Sequence, residues 1–288
     1  LMLSSGVNYF VPHEFSPKEE DEDCPPHFYN GGKNIQYPLF KNLMEYMGRC
    51  SHALSDGAHI CDVAVFYNAE GEWTGGKNQL FYDLCRNLTQ NLIDFDIVPY
   101  NNLTDAQVKD GRLYINGESY GALIISESEI MPKSRLELFD KLAELGLPII
   151  FENSLPKLLA EGGYTTDLIR HMTYVKSCDL PEYLRTRIDC CVSGEGQGIK
   201  YLRYYHVVRQ GKHIYLFSNE DVNNDINARI SLEWAGECMI YEPWENKCYK
   251  YSTEKGSLNL HLEKGNMIFV IFGDEIPSDL PSYKHEVE

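Results

Sequence analysis

The chain has 288 residues, with 26 Lys and Arg against 43 Asp and Glu, a net charge of -17 and 43% hydrophobic residues. That length suffices for about two domains with cores of their own, and the acidic excess repels phosphate backbones and anionic lipid surfaces, which excludes nucleic acid and membranes as expected partners. No run of about 18 apolar residues occurs, and the nine scattered cysteines form no Cys-x-x-Cys pair, so they read as reduced thiols of a cytoplasmic protein.

The first stretch, "GVNYFVPHEFSPKEEDEDCPPHFYNGG" (residues 6–32), has a strand-like run at residues 7–11 that ends at His13-Glu14 and passes into a long polar loop. A barrel strand entering its active-site loop has this pattern. The acidic run at residues 19–23 reads as solvated, because consecutive carboxylates cannot all face one cation. Residues 37–54 place Leu39, Phe40, Leu43, Tyr46, Met47, Cys50 and Leu54 at helical spacing, closed by Asp56-Gly57. One strand and one helix are too little for a barrel, so residues 1–56 read as its remnant; the chain opens on Leu1, and its native start is expected upstream.

Residues 57–178 alternate between periods. "HICDVAVFY", "FDIVPY", the apolar run Ala122–Ile125 and "LPIIFE" read as strands, with a hairpin turn at Asn116-Gly117. "GGKNQLFYDLCRNLTQNLI" and "PKSRLELFDKLAELG" read as helices, the second opened by Pro132 and closed by Gly146. Such βαβ units imply an α/β domain with a doubly wound parallel sheet, flavodoxin-like in manner. Gly71, Gly75 and Gly76 fit neither the dinucleotide fingerprint nor the P-loop, so no cofactor is expected. "GALIISESEIMP" stands where a hydrolase of this architecture carries Cys or Ser between glycines, and the flanking glycines are missing. Ser126 or Ser128 with His171 remains an alternative that requires those side chains to meet. Glu70, Glu72 and Trp73 suit a sugar, whose ring stacks on indole; Trp73 equally suits pinning its loop onto an adjoining domain.

Residues 179–288 open with a short helix after Pro181 and continue in period 2: "IKYLRYYHVVRQGKHIYLFSNE" turns at Gln210-Gly211, and "ARISLEWAG", "CMIYEPWENKCYKYS" and "SLNLHLEKGNMIFVIFG" come after it. An antiparallel β-sandwich is expected, with Trp234 and Trp244 in its core and Cys190 and Cys191 as free thiols.

Glycoside hydrolysis takes two carboxylates on different strand ends, and only Glu14 stands in such a position here. His13 beside it reads either as a donor to a sugar hydroxyl or as a strand-end histidine satisfied by backbone. The order "GVNYFVPHEFSP…CPPHFY…GKN…YPLFKNLMEYMGRCSHALSDGAHICDVAVFY" resembles the junction in large bacterial glycoside hydrolases of the alpha-L-rhamnosidase-like type. There the last barrel strand leads through a helix into a flavodoxin-like domain; "YGALIIS" resembles the third strand of that domain, and "HVVRQGKHIYLFSNE" the opening hairpin of the β domain after it. The middle domain is similar to the class I glutamine amidotransferase-like fold and to the trimerisation domain of barrel β-galactosidases, without a nucleophile. The resemblance implies a C-terminal part with no catalytic residue of its own, His13 lining a sugar pocket, and a carbohydrate substrate reached through an upstream barrel. Twenty tyrosines also suit an oligomer interface, or a self-contained module that binds carbohydrate or protein.

Overall fold

The structure, a computed structural model, describes residues 2–19, 27–189, 192–273 and 276–283. A 3-10 turn with Pro38 at its start leads into α1 (Phe40–Leu54), which buries Cys50 and Leu54. Next come β1 (Ala58–His59), β2 (Val63–Phe66), α2 (Ala69–Trp73), α3 (Phe81–Gln90), β3 (Phe95–Val98) and α4 (Tyr100–Thr104). A three-stranded meander, β4 (Gln107–Lys109), β5 (Arg112–Ile115) and β6 (Glu118–Tyr120), precedes β7 (Ala122–Ile125), β8 (Ile130–Met131), α5 (Lys133–Glu144), β9 (Ile149–Glu152), β10 (Leu158–Leu159), β11 (Thr173–Val175) and α6 (Leu180–Arg185).

Strands β11-β9-β7-β2-β3 form one parallel sheet. Its central strands are continuous apolar runs because both faces are covered. Ala64, Phe66, Leu123, Ile125 and Phe151 pack with Leu136 and Phe139 of α5, whereas Val63, Val65, Ile124 and Ile150 pack with α3 and α6. The expected hairpin forms with Asn116 and Gly117 at φ of 51° and 94°, the left-handed pair that a tight hairpin demands. Gly146 ends α5 at φ 98°.

The remaining strands are antiparallel: β12 (Val192–Gln197), β13 (Leu202–Arg209), β14 (Lys212–Asn219), β15 (Ile226–Leu232), β16 (Gly236–Glu242), β17 (Lys247–Thr253), β18 (Ser257–Leu262) and β19 (Met267–Phe272). A six-stranded sheet ordered β1-β13-β14-β19-β16-β17 faces a three-stranded sheet, β12-β15-β18. The core between them holds Tyr215, Phe217, Ile230, Ile240, Leu260 and Val270. The outer face of the six-stranded sheet is covered as well, since Val207, Leu216 and Phe269 pack on Cys50 and Leu54 of α1 and on Leu3.

Residues 7–11, expected as a strand, form none. A strand needs a neighbour to take its backbone groups, and among the described residues none pairs with this run; Tyr9 and Val11 are 83% and 80% exposed, while Phe10 alone reaches the core under α1. Ala58 and His59, which lead into the parallel sheet, pair instead with Val208 and Val207 of the sandwich strand β13. The expected thiols Cys190 and Cys191 lie outside the described residues, as does most of the acidic run; its first member, Glu19, pairs with Lys33. The six described cysteines, Cys50, Cys61, Cys85, Cys178, Cys238 and Cys248, are free.

His206 of β13 is fully buried against Tyr215, its ring 3.9 Å away, with Nε2 at 3.0 Å from Nδ1 of His213. Burial, then the neighbouring charges of His213 and His59, push its pKa down from 6.5 to about 3. Since the folded value lies below the unfolded one, the neutral ring contributes fully above pH 6.5 and its contribution falls as pH drops toward 3. Unfolding free energy in urea should therefore decline with acid by up to about 1.4 kcal/mol per pH unit from this residue. The variant His206→Phe should show a shallower decline, and equal slopes in the two proteins would refute the assignment.

Candidate functional site

The N-terminal segment brings His13 and Glu14 together with a second histidine. Phe28 N donates to Glu14 O at 2.9 Å and Tyr29 N to Phe15 O at 3.0 Å, so residues 27–29 lie alongside residues 14–15. Glu14 Oε1 then sits 3.3 Å from His27 Nδ1 and accepts from Ser16 Oγ at 3.4 Å, while Oε2 is 3.8 Å from His13 Nδ1. His13 is 60% exposed. Beside this group Phe15 stacks on Tyr29 at 4.9 Å, Tyr37 meets Tyr29 edge-on at 5.0 Å, and Phe40 stacks on Tyr37 at 5.9 Å. A carboxylate between two imidazoles beside aromatic faces can bind hydroxyls and a sugar ring. Glycoside hydrolysis takes two carboxylates roughly 5–10 Å apart.

Trp73, at the end of α2, is 79% exposed. Its neighbour Glu70 is committed to Arg135, whose guanidinium lies 3.5 Å over the Tyr100 ring. The Ser–His alternative is not assembled. Ser128 Oγ donates to Ile130 O at 2.7 Å, Ser126 is buried at the end of β7, and the exposed His171 turns Nδ1 to Asp140 at 2.9 Å. Glu127 accepts from Lys77 Nζ at 2.7 Å and Ser154 Oγ at 3.0 Å. The expected core positions of Trp234 and Trp244 are corrected to the surface, where they are 41% and 58% exposed and lean on His213 and Tyr46.

A further polar cluster lies where the parallel sheet meets the sandwich. Asp94 Oδ2 and Asp96 Oδ1 take the two ring nitrogens of His59 at 2.8 and 3.2 Å. Phe95 N donates to Asp94 Oδ1 at 2.9 Å, and Tyr120 OH and Cys61 Sγ reach Asp96 Oδ2 at 2.9 and 3.5 Å. Tyr205 stacks on the imidazole at 4.4 Å. Burial opposes charge on His59, but the hydrogen bonds to Asp94 and Asp96 outweigh it and hold the imidazole well above its ordinary pKa. Burial likewise opposes charge on Asp96, and His59 nevertheless brings that carboxyl down. Burial pushes the Cys61 thiol up to about 12. The cluster borders a cavity of about 820 Å³ that also touches Gly6, Arg86 and Arg203. His59-x-Cys61 and Asp94-x-Asp96 were its sequence signal, since alternate residues of an extended chain share a face.

No protein-family model and no curated protein matches the sequence. Solved structures do match. The rhamnosidase from Novosphingobium sp. PP1Y is similar at 16% identity and a TM-score of 0.64, over 87% of this chain and 26% of that one. A catalytic mutant of the GH42 β-galactosidase from G. stearothermophilus matches at 10% identity and TM-score 0.62, over 94% and 49%. The β-galactosidase from Bacillus circulans sp. alkalophilus matches at 9% and 0.58, over 86% and 47%. The chain thus has a fold found within glycoside hydrolases, and spans about a quarter of the rhamnosidase and about half of the β-galactosidases.

Removing the imidazole strands Asp94 and Asp96 beside each other. In chelator-treated protein, His59→Ala should cost about 3–5 kcal/mol of unfolding free energy, and adding Asp94→Asn should recover part of it. Strictly additive losses in this double-mutant cycle would show that the clamp is not energetically coupled.

Proposed function

We propose that this chain is the C-terminal, non-catalytic region of a glycoside hydrolase acting on a carbohydrate of the α-L-rhamnoside kind. In this reading a flavodoxin-like domain and a β-sandwich brace a catalytic barrel and hold His13 and Glu14 at the rim of its sugar pocket. The observation that carries it is the fold shared over 86–94% of this chain with only 26–49% of each enzyme. Counted along the chain, the parallel sheet runs 2-1-3-4-5, which supports the flavodoxin-like assignment. Val7, Tyr9, Val11, Phe15, Leu39 and Leu43 are exposed close together in sequence, an apolar set that suits burial against a neighbouring barrel. The free described cysteines suit a reducing compartment.

A second reading, a binding module that works without a barrel, draws on the exposed indole of Trp73, which suits a saccharide ring or a partner chain.

Turnover of a panel of aryl glycosides, α-L-rhamnoside included, separates the two. The 288-residue chain should be inactive, and a polypeptide extended upstream through its gene should turn over at least one substrate. In that longer protein His13→Ala should raise KM about tenfold with a smaller change in kcat, as expected for a contact that serves binding. Activity in the short chain, or none in the longer one, would overturn the proposal.

A further inference from the structure

The junction cluster has the composition and arrangement of a metal centre. His59 Nδ1, Cys61 Sγ and a carboxylate oxygen of Asp96 all lie within 4.8 Å of one another. Two of the contacts are resolved individually, Nδ1 to Asp96 Oδ1 at 3.2 Å and Sγ to Asp96 Oδ2 at 3.5 Å. Donors at bond lengths of about 2.0–2.3 Å around a tetrahedral Zn²⁺ stand roughly 3.3–3.8 Å apart, so small side-chain adjustments suffice.

The other side of the imidazole is prepared too. Metal-bound histidine usually donates its second ring N–H to a carboxylate, which fixes the tautomer and the ring plane. Asp94 accepts from Nε2 at 2.8 Å and is itself held by Phe95 N at 2.9 Å. Tyr120 OH, at 2.9 Å, orients Asp96, and Tyr205 fixes the ring face. Imidazole, thiolate and carboxylate together suit a borderline cation such as Zn²⁺ or Co²⁺ and disfavour Ca²⁺ and Mg²⁺, which prefer all-oxygen sets. Three protein donors leave a fourth position for water, supplied by the adjoining cavity of about 820 Å³.

We propose that His59, Cys61 and Asp96 bind one divalent transition-metal ion of the zinc class, with Asp94 positioning His59. His59 ends the sandwich-paired strand β1, Cys61 lies in the connection from β1 to the parallel strand β2, and Asp96 comes from β3. The ion therefore cross-links the two sheets at their junction, independently of the carbohydrate chemistry proposed above.

The test is titration of the reduced, chelator-treated full chain with Co²⁺, followed by its near-ultraviolet thiolate charge-transfer absorption. One equivalent should develop the band, and Zn²⁺ should bleach it and raise the unfolding temperature. Cys61→Ser should abolish the band while keeping the far-ultraviolet circular dichroism of the wild type. Asp94→Asn should keep the band but weaken affinity about 10–100-fold. Absence of the band in the wild type, or its survival in Cys61→Ser, would overturn the proposal. So would binding without a band that His171→Ala removes, because Asp140, Glu144 and His171 form an exposed set without a thiol.

Discussion

The short antiparallel pairing of Ala58 and His59 with Val208 and Val207 joins the parallel sheet to the sandwich, beside Leu92, which packs in the sandwich core. Two residue pairs are a weak ladder by themselves. They hold because the stretch that makes them is anchored on the other side: His59 between Asp94 and Asp96, and Asp62 paired with Arg112 and accepting from Asp189 N at 2.9 Å. Asp189 is the last described residue before the sandwich's first strand and Arg112 belongs to the meander, so Asp62 ties three segments at one carboxylate. A Cβ on Gly121 would stand 2.6 Å from Asp62 Oδ2, which explains glycine at the entry to β7.

The N-terminal section depends on the same sheet. The outer face of the six-stranded sheet would be apolar surface in water without α1 and Leu3, so hydrophobic burial places α1 there. Polar contacts then set its position: Arg49 donates to Pro243 O at 3.0 and 2.8 Å from Nε and Nη2, and Arg209 donates to His52 O at 2.6 Å. The segment bearing His13 and Glu14 is thereby mounted on the sandwich through a helix clamped at two points and through Phe10, while Val7, Tyr9, Val11 and Phe15 stay exposed.

Local chemistry explains what was legible in the sequence. The turns at Asn116-Gly117 and Gln210-Gly211 require left-handed backbone at both positions, and both adopt it. The apolar runs of β2, β7 and β9 imply a sheet covered on both faces, and α3, α5 and α6 cover it. Residues 7–11 misled because alternation describes a strand's faces but supplies no partner for its backbone. Trp234 and Trp244 misled because indole suits a core and a surface contact equally. The His59 cluster was hidden for a topological reason: Asp94 and Asp96 reach the imidazole only because β3 lies beside β2, and nothing local to "HIC" or "DFD" states that neighbourhood.

The ends of the parallel strands show how the fold occupies the place where such sheets usually bind ligands. After β7, Glu127 is held by Lys77 and Ser154. After β9, Asn153 accepts from Ser177 N and donates to Gln79 Oε1 at 2.8 Å. Glu152, fully buried, has its carboxyl pushed up from its ordinary pKa by burial. Lys77, Glu127 and Ser154, and likewise Gln79, Asn153 and Ser177, thus bond one another across the loops that follow β2, β7, β9 and β11. Two other polar clusters lie away from these strand ends, one on the His13–Glu14 segment and one, largely buried, at the junction around His59.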